Sequence, residues 1–509
     1  MRVVLISPYS GIEATGLRIM SACLKEAGFT TRMIFLPDFL EAMAAKHYDA
    51  RQAAPELIKQ LASLCQDVDL IGITVMTPSY ELAAWLSDEL HVVCQAPILW
   101  GGIHPTVCPE ECLEHADLIC VGEGERMMVE LCQRIADGVA YTDVGNLGYR
   151  NAQGGVVLNS LYPLEQELDR LPFPDYDYDD HYVLHDDRLV PFTEALMHYY
   201  LTDLGSWASG PVYGVMTTRG CPYTCSYCVN NAYAAIYPGW SHIRRRSPAN
   251  VIAEIQAVRM RLPKISAVIL RDDTFLANNR DYIAEFSRLY KQEVDLPFRA
   301  YTTAQTADPA KLEMLTAAGL CYVIMGIQSG AQRTKKAYQR RTSNQQILDA
   351  TYVIHALRAQ IPRPAYDVIT DNPYENDEDR FETLQLVNAL PAPYRLSLYS
   401  LTFYPGTDLA RTAKAQGMIP VDDRNAYRRN FQMYHLDYYN LVLFCHSLNL
   451  PKLLLNVMVT KSVFYLFRHK PLDWLGGQVL ALFLALRKRK NVKLYARRRL
   501  QWLGLGVSR

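Results

Sequence analysis

Two successive alternations of strand and helix predict an α/β protein. Short apolar runs that end in Gly, Pro, Thr or Ser recur through residues 1–140 and again through 211–415, with helical periodicity between them. After about residue 416 the strand-like runs give way to longer apolar and basic stretches that read as helices. The expected architecture is a Rossmann-like parallel sheet over 1–140, a connector over 141–210, a partial (β/α)6 barrel over 211–415, and a mostly helical region over 416–509. Half of the 509 residues are apolar and 21% are charged, the balance of a folded globular chain. The net charge of -1 leaves no global field to attract nucleic acid, which excludes it as a general partner.

In the first unit, strands are expected at 3–6, 32–36, 70–75, 98–100 and 118–121. Leu17, Met20 and Leu24, and later Leu57, Leu61 and Leu64, follow helical spacing. Ligands of such sheets sit at the carboxyl ends of the strands. Those ends carry Ser7, Thr74, the run Gly101-Gly102-Ile103-His104-Pro105-Thr106, and Gly122-Glu123-Gly124. Glycines there let the backbone approach a bulky ligand. No G-x-G-x-x-G follows the first strand, which argues against a plain dinucleotide site. Met1 to Ser7 reads as a strand opening rather than a signal peptide.

The connector contains Leu171-Pro172-Phe173-Pro174, a rigid non-helical segment. The Asp-rich stretch after it, with His181 and His185, offers metal-ligand types but reads as a solvated linker.

In the second unit, strands are expected at 212–217, 267–270, 298–302, 322–327, 367–369 and 396–403. Ser247-Pro248 is a helix start, with Ser as cap and Pro in the first turn. The first of these strands delivers Cys221, Cys225 and Cys228, spaced C-x3-C-x2-C. Zinc takes four ligands, usually as two close pairs, and no second pair lies nearby. Three thiolates on one loop can hold three irons of a [4Fe–4S] cluster and leave the fourth open. The other nine cysteines are scattered with no paired framework, which suits a reducing cytoplasm, the expected location.

The last unit holds an almost wholly apolar stretch over 472–486. A basic run follows, with eight Lys or Arg and no acid between Arg487 and Arg499. Such a pairing suggests peripheral contact with an anionic membrane surface. No stretch reaches the ~20 apolar residues needed to span a bilayer.

The cysteine spacing, with Tyr227 just before the last cysteine, resembles the radical S-adenosylmethionine (SAM) superfamily. The glycine-rich strand ends of the first unit resemble the cobalamin-binding domain that precedes one large group of those enzymes. The D-x-H-x-x-G motif that ligates cobalt is absent, and His104 lies outside any such motif, so it is expected to line the pocket. The resemblance implies a [4Fe–4S] cluster on Cys221, Cys225 and Cys228. It places Tyr227, Asp272, Asp273, Gly326, Gln328 and Ser329 around SAM. Ser7, Thr74, Gly101, Gly102, His104, Thr106, Gly122, Glu123 and Gly124 would seat cobalamin. Residues 367–375 resemble the D-x-I-x-G-x-P-x-E segment, with Asp371 where glycine is common, and Pro405-Gly406-Thr407 resembles the P-G-T segment of cobalamin-linked members.

The chemistry implied is methylation of an unactivated carbon or phosphorus centre, through methylcobalamin and a 5'-deoxyadenosyl radical, with flavodoxin or ferredoxin as reductant. The alternative is a cobalamin-dependent oxidative cyclase or ring-rearranging enzyme of tetrapyrrole, lipid or natural-product synthesis. A tRNA methylthiotransferase would want a second cysteine triad, which is absent. A cofactor sensor would bind SAM without cleaving it. The apolar, tyrosine-rich tail points to a large hydrophobic small-molecule substrate.

Overall fold

The computed structural model describes residues 1–37, 55–202, 207–420, 424–428 and 435–502, and describes the side chains of that last segment as far as Leu486. Nine strands form the first sheet: β1 (Arg2–Ser7), β2 (Thr30–Phe35), β3 (Leu70–Thr74), β4 (Ile98–Gly101), β5 (Leu118–Cys120), β6 (Leu147–Arg150), β7 (Val156–Leu158), β8 (Tyr182–His185) and β9 (Arg188–Pro191). Their order is β7-β6-β5-β4-β3-β1-β2-β8-β9. The five central strands are parallel, in register Val3↔Leu70 and Val3↔Thr31 across β1.

Both faces of this sheet are covered, so its strands read as unbroken apolar runs. Val3 and Leu5 of β1 point into one core, and Val4 and Ile6 into the other. In β2, Met33 and Phe35 separate from Ile34 in the same way.

The stretch expected as a connector is part of the sheet. β6 and β7 add antiparallel to one edge, and the β8–β9 hairpin adds to the other, with β8 parallel to β2. The Asp-rich segment is a fastening rather than a solvated linker. Asp180 pairs with Arg32 at 2.7 Å, and buried His181 accepts from the Met33 amide at 3.0 Å while its other nitrogen meets Asp175 at 3.2 Å. Flanking acids hid the short apolar run Tyr182–Leu184 from the hydropathy pattern.

A two-residue ladder, β11 (Thr218–Arg219) against β12 (Arg244–Arg245), stands at the base of the cysteine loop. The second sheet is fully parallel and sequential: β10 (Val212–Val215), β13 (Ala267–Leu270), β14 (Phe298–Thr302), β15 (Leu320–Gln328), β16 (Ala365–Thr370) and β17 (Arg395–Ser400). It is the six-stranded partial barrel expected, with helices between its strands. Ser247 caps the helix Pro248–Arg261 by accepting from the Asn250 amide at 3.2 Å, with Pro248 in its first turn. Asp308 caps Pro309–Ala318 in the same manner.

The C-terminal region is helical. Helix Tyr438–Ser447 is buried from Tyr438 to His446 and packs on β17, on helix Asp377–Ala389 and on helix Lys470–Trp502. The basic run is helical backbone, and its side chains lie outside the described residues. No helix among the described residues is long and apolar enough to cross a membrane.

Candidate active site

The carboxyl ends of the two parallel sheets face each other. Between them lies a cavity of about 410 Å³. One wall is Thr74, Gly101, Gly102, Gly122, Glu123 and Gly124 from the first sheet; the other is Met216, Thr218, Arg219, Gly220, Asn230, Asp272 and Asp273 from the barrel. Leu5, Met20, Leu99, Met127 and Met128 make its apolar floor.

The cysteine loop hangs from β11. Gly220 has φ +90°, and a Cβ there would sit 2.5 Å from the Trp240 carbonyl oxygen. Only glycine makes that turn immediately before Cys221. Asp272 fixes the loop from behind. It accepts from the Thr217 amide (3.0 Å) and hydroxyl (3.0 Å) and from the Thr218 amide (2.5 Å) and hydroxyl (2.6 Å). Its oxygens are spent on holding the strand end, and burial lifts its carboxyl to about 6. Asp273 is the acid turned to the cysteines. Asn230 donates to it at 2.9 Å and points the same amide at Cys228 Sγ, 3.8 Å away. Trp240 holds Asn230 by donating to its oxygen at 2.9 Å.

Burial pushes the Cys221 thiol up to about 12 and Cys228 to about 11, and the nearby Asp273 charge adds to both. Thiols in that setting stay protonated unless a cation takes the proton's place, which is the condition under which sulfur ligates a metal. The donor set fits an iron–sulfur cluster. Arg340, unsuspected in the sequence, approaches the loop: Nη1 lies 3.8 Å from Cys225 Sγ and 3.1 Å from the Tyr227 hydroxyl, while Nη2 donates to the Gly326 carbonyl at 2.9 Å. Only a basic pair, Arg340-Arg341, marked it in the chain. Tyr227 packs edge-on against Tyr338, with centroids 4.9 Å apart.

Gly326 and Gln328 straddle a register shift between β15 and β16, and Gln328 has φ +69°. A Cβ on Gly326 would meet Gln328 Nε2 at 2.5 Å. Ser329 is fully buried. Its hydroxyl lies 3.2 Å from Glu375 Oε1 and 3.0 Å from the Thr383 hydroxyl, in a network away from the cavity. Asp371 has φ +54°, so the acid adopts the left-handed backbone that glycine commonly provides there.

On the opposite wall, Gly122 has φ +85°, and a Cβ there would strike the Tyr237 hydroxyl at 1.9 Å. Its bareness lets the barrel close onto the first sheet. Thr106 lies behind the wall and ties the two glycine loops, donating to the Gly102 carbonyl at 2.8 Å and accepting from the Gly122 amide at 3.0 Å. Ser7 is fully buried and does not reach the cavity.

The expectation that His104 lines the pocket is not met. It is fully buried, with Nδ1 3.2 Å from the Thr77 hydroxyl, Nε2 3.1 Å from Glu111 Oε1, and its ring between Tyr80 and Tyr427. The one-turn helix Ile103–Val107 that Gly102 initiates carries the imidazole away from the strand end. Burial opposes the Glu111 charge. The adjacent His104 imidazole and a hydrogen bond from the Tyr427 hydroxyl, at 2.5 Å, outweigh it and hold the carboxyl at about 2.

Charged pairs weld the walls together. Glu123 accepts from Arg244 at 2.8 Å and Arg219 at 3.2 Å, and Arg219 also reaches Glu125 at 2.6 Å. Arg271 pairs with Glu13. Glu123 therefore faces the cavity with its charge already matched.

A loop with three cysteines at the mouth of a partial barrel, opposite a glycine-edged sheet, has the layout of an enzyme that works between two cofactors. The comparisons agree. Residues 215–387 match the radical SAM superfamily, and residues 1–132 match the B12 binding domain. The chain therefore carries a radical SAM domain and, ahead of it, a B12-binding domain.

Among its relatives is an uncharacterized methyltransferase of Pyrococcus horikoshii, 26% identical over 364 residues, or 69% of this chain and 71% of that one. The bacteriochlorophyllide d C-8(2)-methyltransferase of Chlorobaculum tepidum is 24% identical over 395 residues, covering 74% and 75%. The anaerobic magnesium-protoporphyrin IX monomethyl ester cyclase of Cereibacter sphaeroides is 26% identical over 364 residues, covering 67% of this chain but 53% of the cyclase. The fold resembles the radical SAM methyltransferase TsrM of Kitasatospora setae, with a TM-score of 0.62 and 16% identity, covering 82% of this chain and 76% of TsrM.

Proposed function

We propose that this enzyme methylates an unactivated carbon or phosphorus centre in a large hydrophobic small molecule. One observation carries the reading: a single cavity runs from the glycine loops of the B12-binding sheet to Gly220, Val229 and Asn230, the residues that flank the cysteine loop of the barrel. Cys221, Cys225 and Cys228 would hold the [4Fe–4S] cluster, with SAM on its free iron, and Gly101, Gly102 and Gly124 would seat cobalamin. When bound, these cofactors supply one-electron reduction, a hydrogen-abstracting radical and a methyl donor.

The chain's own residues position and shield. Asp273, backed by Asn230 and Trp240, offers a carboxylate beside the cluster loop to the ammonium group of SAM. Tyr227, steadied by Arg340, would sit beside the adenosyl portion. Gln328, on kinked backbone with its amide over Gly326, would contribute to the same cradle, while Asp272 and Ser329 hold the strand ends. Leu5, Met20, Leu99, Met127 and Met128 keep water from the space between the cofactors. A flavodoxin or ferredoxin as electron donor, and peripheral contact of the basic run 487–499 with an anionic membrane, belong to the same reading.

The test is product analysis with reduced holoenzyme, after comparison of metabolites from a deletion strain identifies the substrate. The product is expected to be heavier by one CH2 unit, with 5'-deoxyadenosine and S-adenosylhomocysteine formed in equal amounts. Deoxyadenosine without a methylated product would overturn methylation and favour ring closure, the reading that the cyclase relative supports.

A further inference from the structure

The first half of helix Lys470–Trp502 is apolar on more than its packed side. Gly476, Gly477 and Leu480 are buried. A Cβ on Gly476 would touch Tyr438, and one on Gly477 would strike the Leu436 carbonyl, so the two glycines let this helix lie close against Tyr438–Ser447. On the far side, Leu475, Val479, Leu482 and Leu486 are 49%, 38%, 62% and 52% exposed. Steps of four, three and four residues put them on one stripe. Trp474, 64% exposed, stands next to it.

A surface helix normally turns polar residues outward, and a helix apolar on opposite sides is covered on both. Isolated exposed leucines need no explanation, whereas a continuous stripe does. The short helices Lys452–Met458 and Lys461–Leu466, which precede Lys470–Trp502 in the chain, also expose Leu453, Leu454, Val457 and Leu466.

The charge pattern names the occupant. The same helix continues into 487–499, which holds eight Lys or Arg and no acid. A second copy of the chain would bring its own eight positive charges to the contact. An anionic lipid surface answers both features, taking leucines among the acyl chains and cations against headgroups. Trp suits the boundary between the two. A helix with an apolar stripe that runs on into a basic segment suits contact along a membrane surface rather than across it.

We propose that helix Lys470–Trp502 docks this enzyme onto an anionic membrane, with the stripe Leu475, Val479, Leu482 and Leu486 inserted below the headgroups. The inference is independent of the reaction catalysed and deepens the substrate reading: a hydrophobic substrate would be drawn from the lipid phase.

Sedimentation of the full-length holoenzyme with vesicles tests it. Binding to phosphatidylcholine–phosphatidylglycerol vesicles is expected, weakening as salt rises, with little binding to phosphatidylcholine alone. Leu482→Asp should weaken that binding at least tenfold with cofactor content and melting temperature unchanged. The double variant Arg487→Ala, Lys488→Ala should weaken it about thirtyfold, from about 1 kcal/mol per basic residue near such a surface. The Trp474→Phe variant should lose a fluorescence blue shift seen on binding.

Absence of binding to anionic vesicles at low salt would overturn the proposal. So would binding indifferent to salt and headgroup charge, or self-association that Leu482→Asp abolishes while vesicles are ignored.

Discussion

The two walls of the cavity are built in opposite ways. On the barrel side the wall is made largely of side chains, Met216, Thr218, Arg219, Asn230 and Asp273, with the three thiols of the cysteine loop set beside Asn230 and Asp273. On the B12-domain side it is mostly backbone, exposed by Gly101, Gly102, Gly122 and Gly124. A small metal cluster is held by specific donor atoms, and losing one donor loses the site. A large corrin is held by shape, so its seat is a place where side chains are missing. The difference teaches where each wall is vulnerable: the first to deletion, the second to addition.

The largest effect should come from deletion on the barrel side. Cys228→Ala should leave the purified protein without its iron–sulfur absorbance and abolish SAM cleavage, while cobalamin binding persists. Loss of both cofactors together would mean the walls are not separate sites.

Addition on the opposite wall should do the reverse. A Cβ on Gly101 would come no closer than 3.8 Å to any neighbour, so a larger side chain there fills the cavity without disturbing the sheet. Gly101→Leu should weaken cobalamin binding about five- to 150-fold, the range for a strain of about 1–3 kcal/mol, with iron content unchanged. Unaltered cobalamin affinity would place the corrin elsewhere.

The third test asks whether Asp272 serves the wall rather than a ligand. Asp272→Asn keeps one acceptor and loses the charge-assisted bonds to Thr217 and Thr218, at about 2 kcal/mol. The melting temperature should fall by several degrees and the cluster should become easier to lose during purification. The KM for SAM should stay near that of the native enzyme; a rise without destabilisation would restore Asp272 as a SAM contact.

The smallest effect belongs to the cluster behind the glycine wall. The Glu111 carboxyl, at about 2, lies below its ordinary value near 4.5. Its ionised contacts therefore add stability that is complete above pH about 4.5 and lost as pH falls toward 2. Glu111→Gln should melt below the native protein at pH 7, and the gap should close as pH drops below about 4.5. A constant gap would show that ionisation of Glu111 contributes nothing.

Much of this was legible in the chain. Six barrel strands and five of the first sheet announced themselves because strands buried on both faces are continuous apolar runs. The cysteine loop was legible because cluster ligands must be close in sequence on one tight turn. The β6–β9 additions were not, since edge strands are short and half-polar, and Tyr182–Leu184 sits among acids. His104 and Ser329 could not be placed, because a one-turn helix and a bulge decide whether a strand-end side chain faces the cavity or turns from it. Arg340 reaches the cluster loop from beyond the next helix, a distance that no local pattern encodes.

The central claim is that the cluster and cobalamin lie within reach of one another across a single cavity. Electron paramagnetic resonance of holoenzyme carrying both the reduced cluster and cob(II)alamin tests it directly. Dipolar broadening of the cobalt signal, absent in the Cys228→Ala protein, is the result expected. A spectrum equal to the sum of the two isolated centres would contradict it.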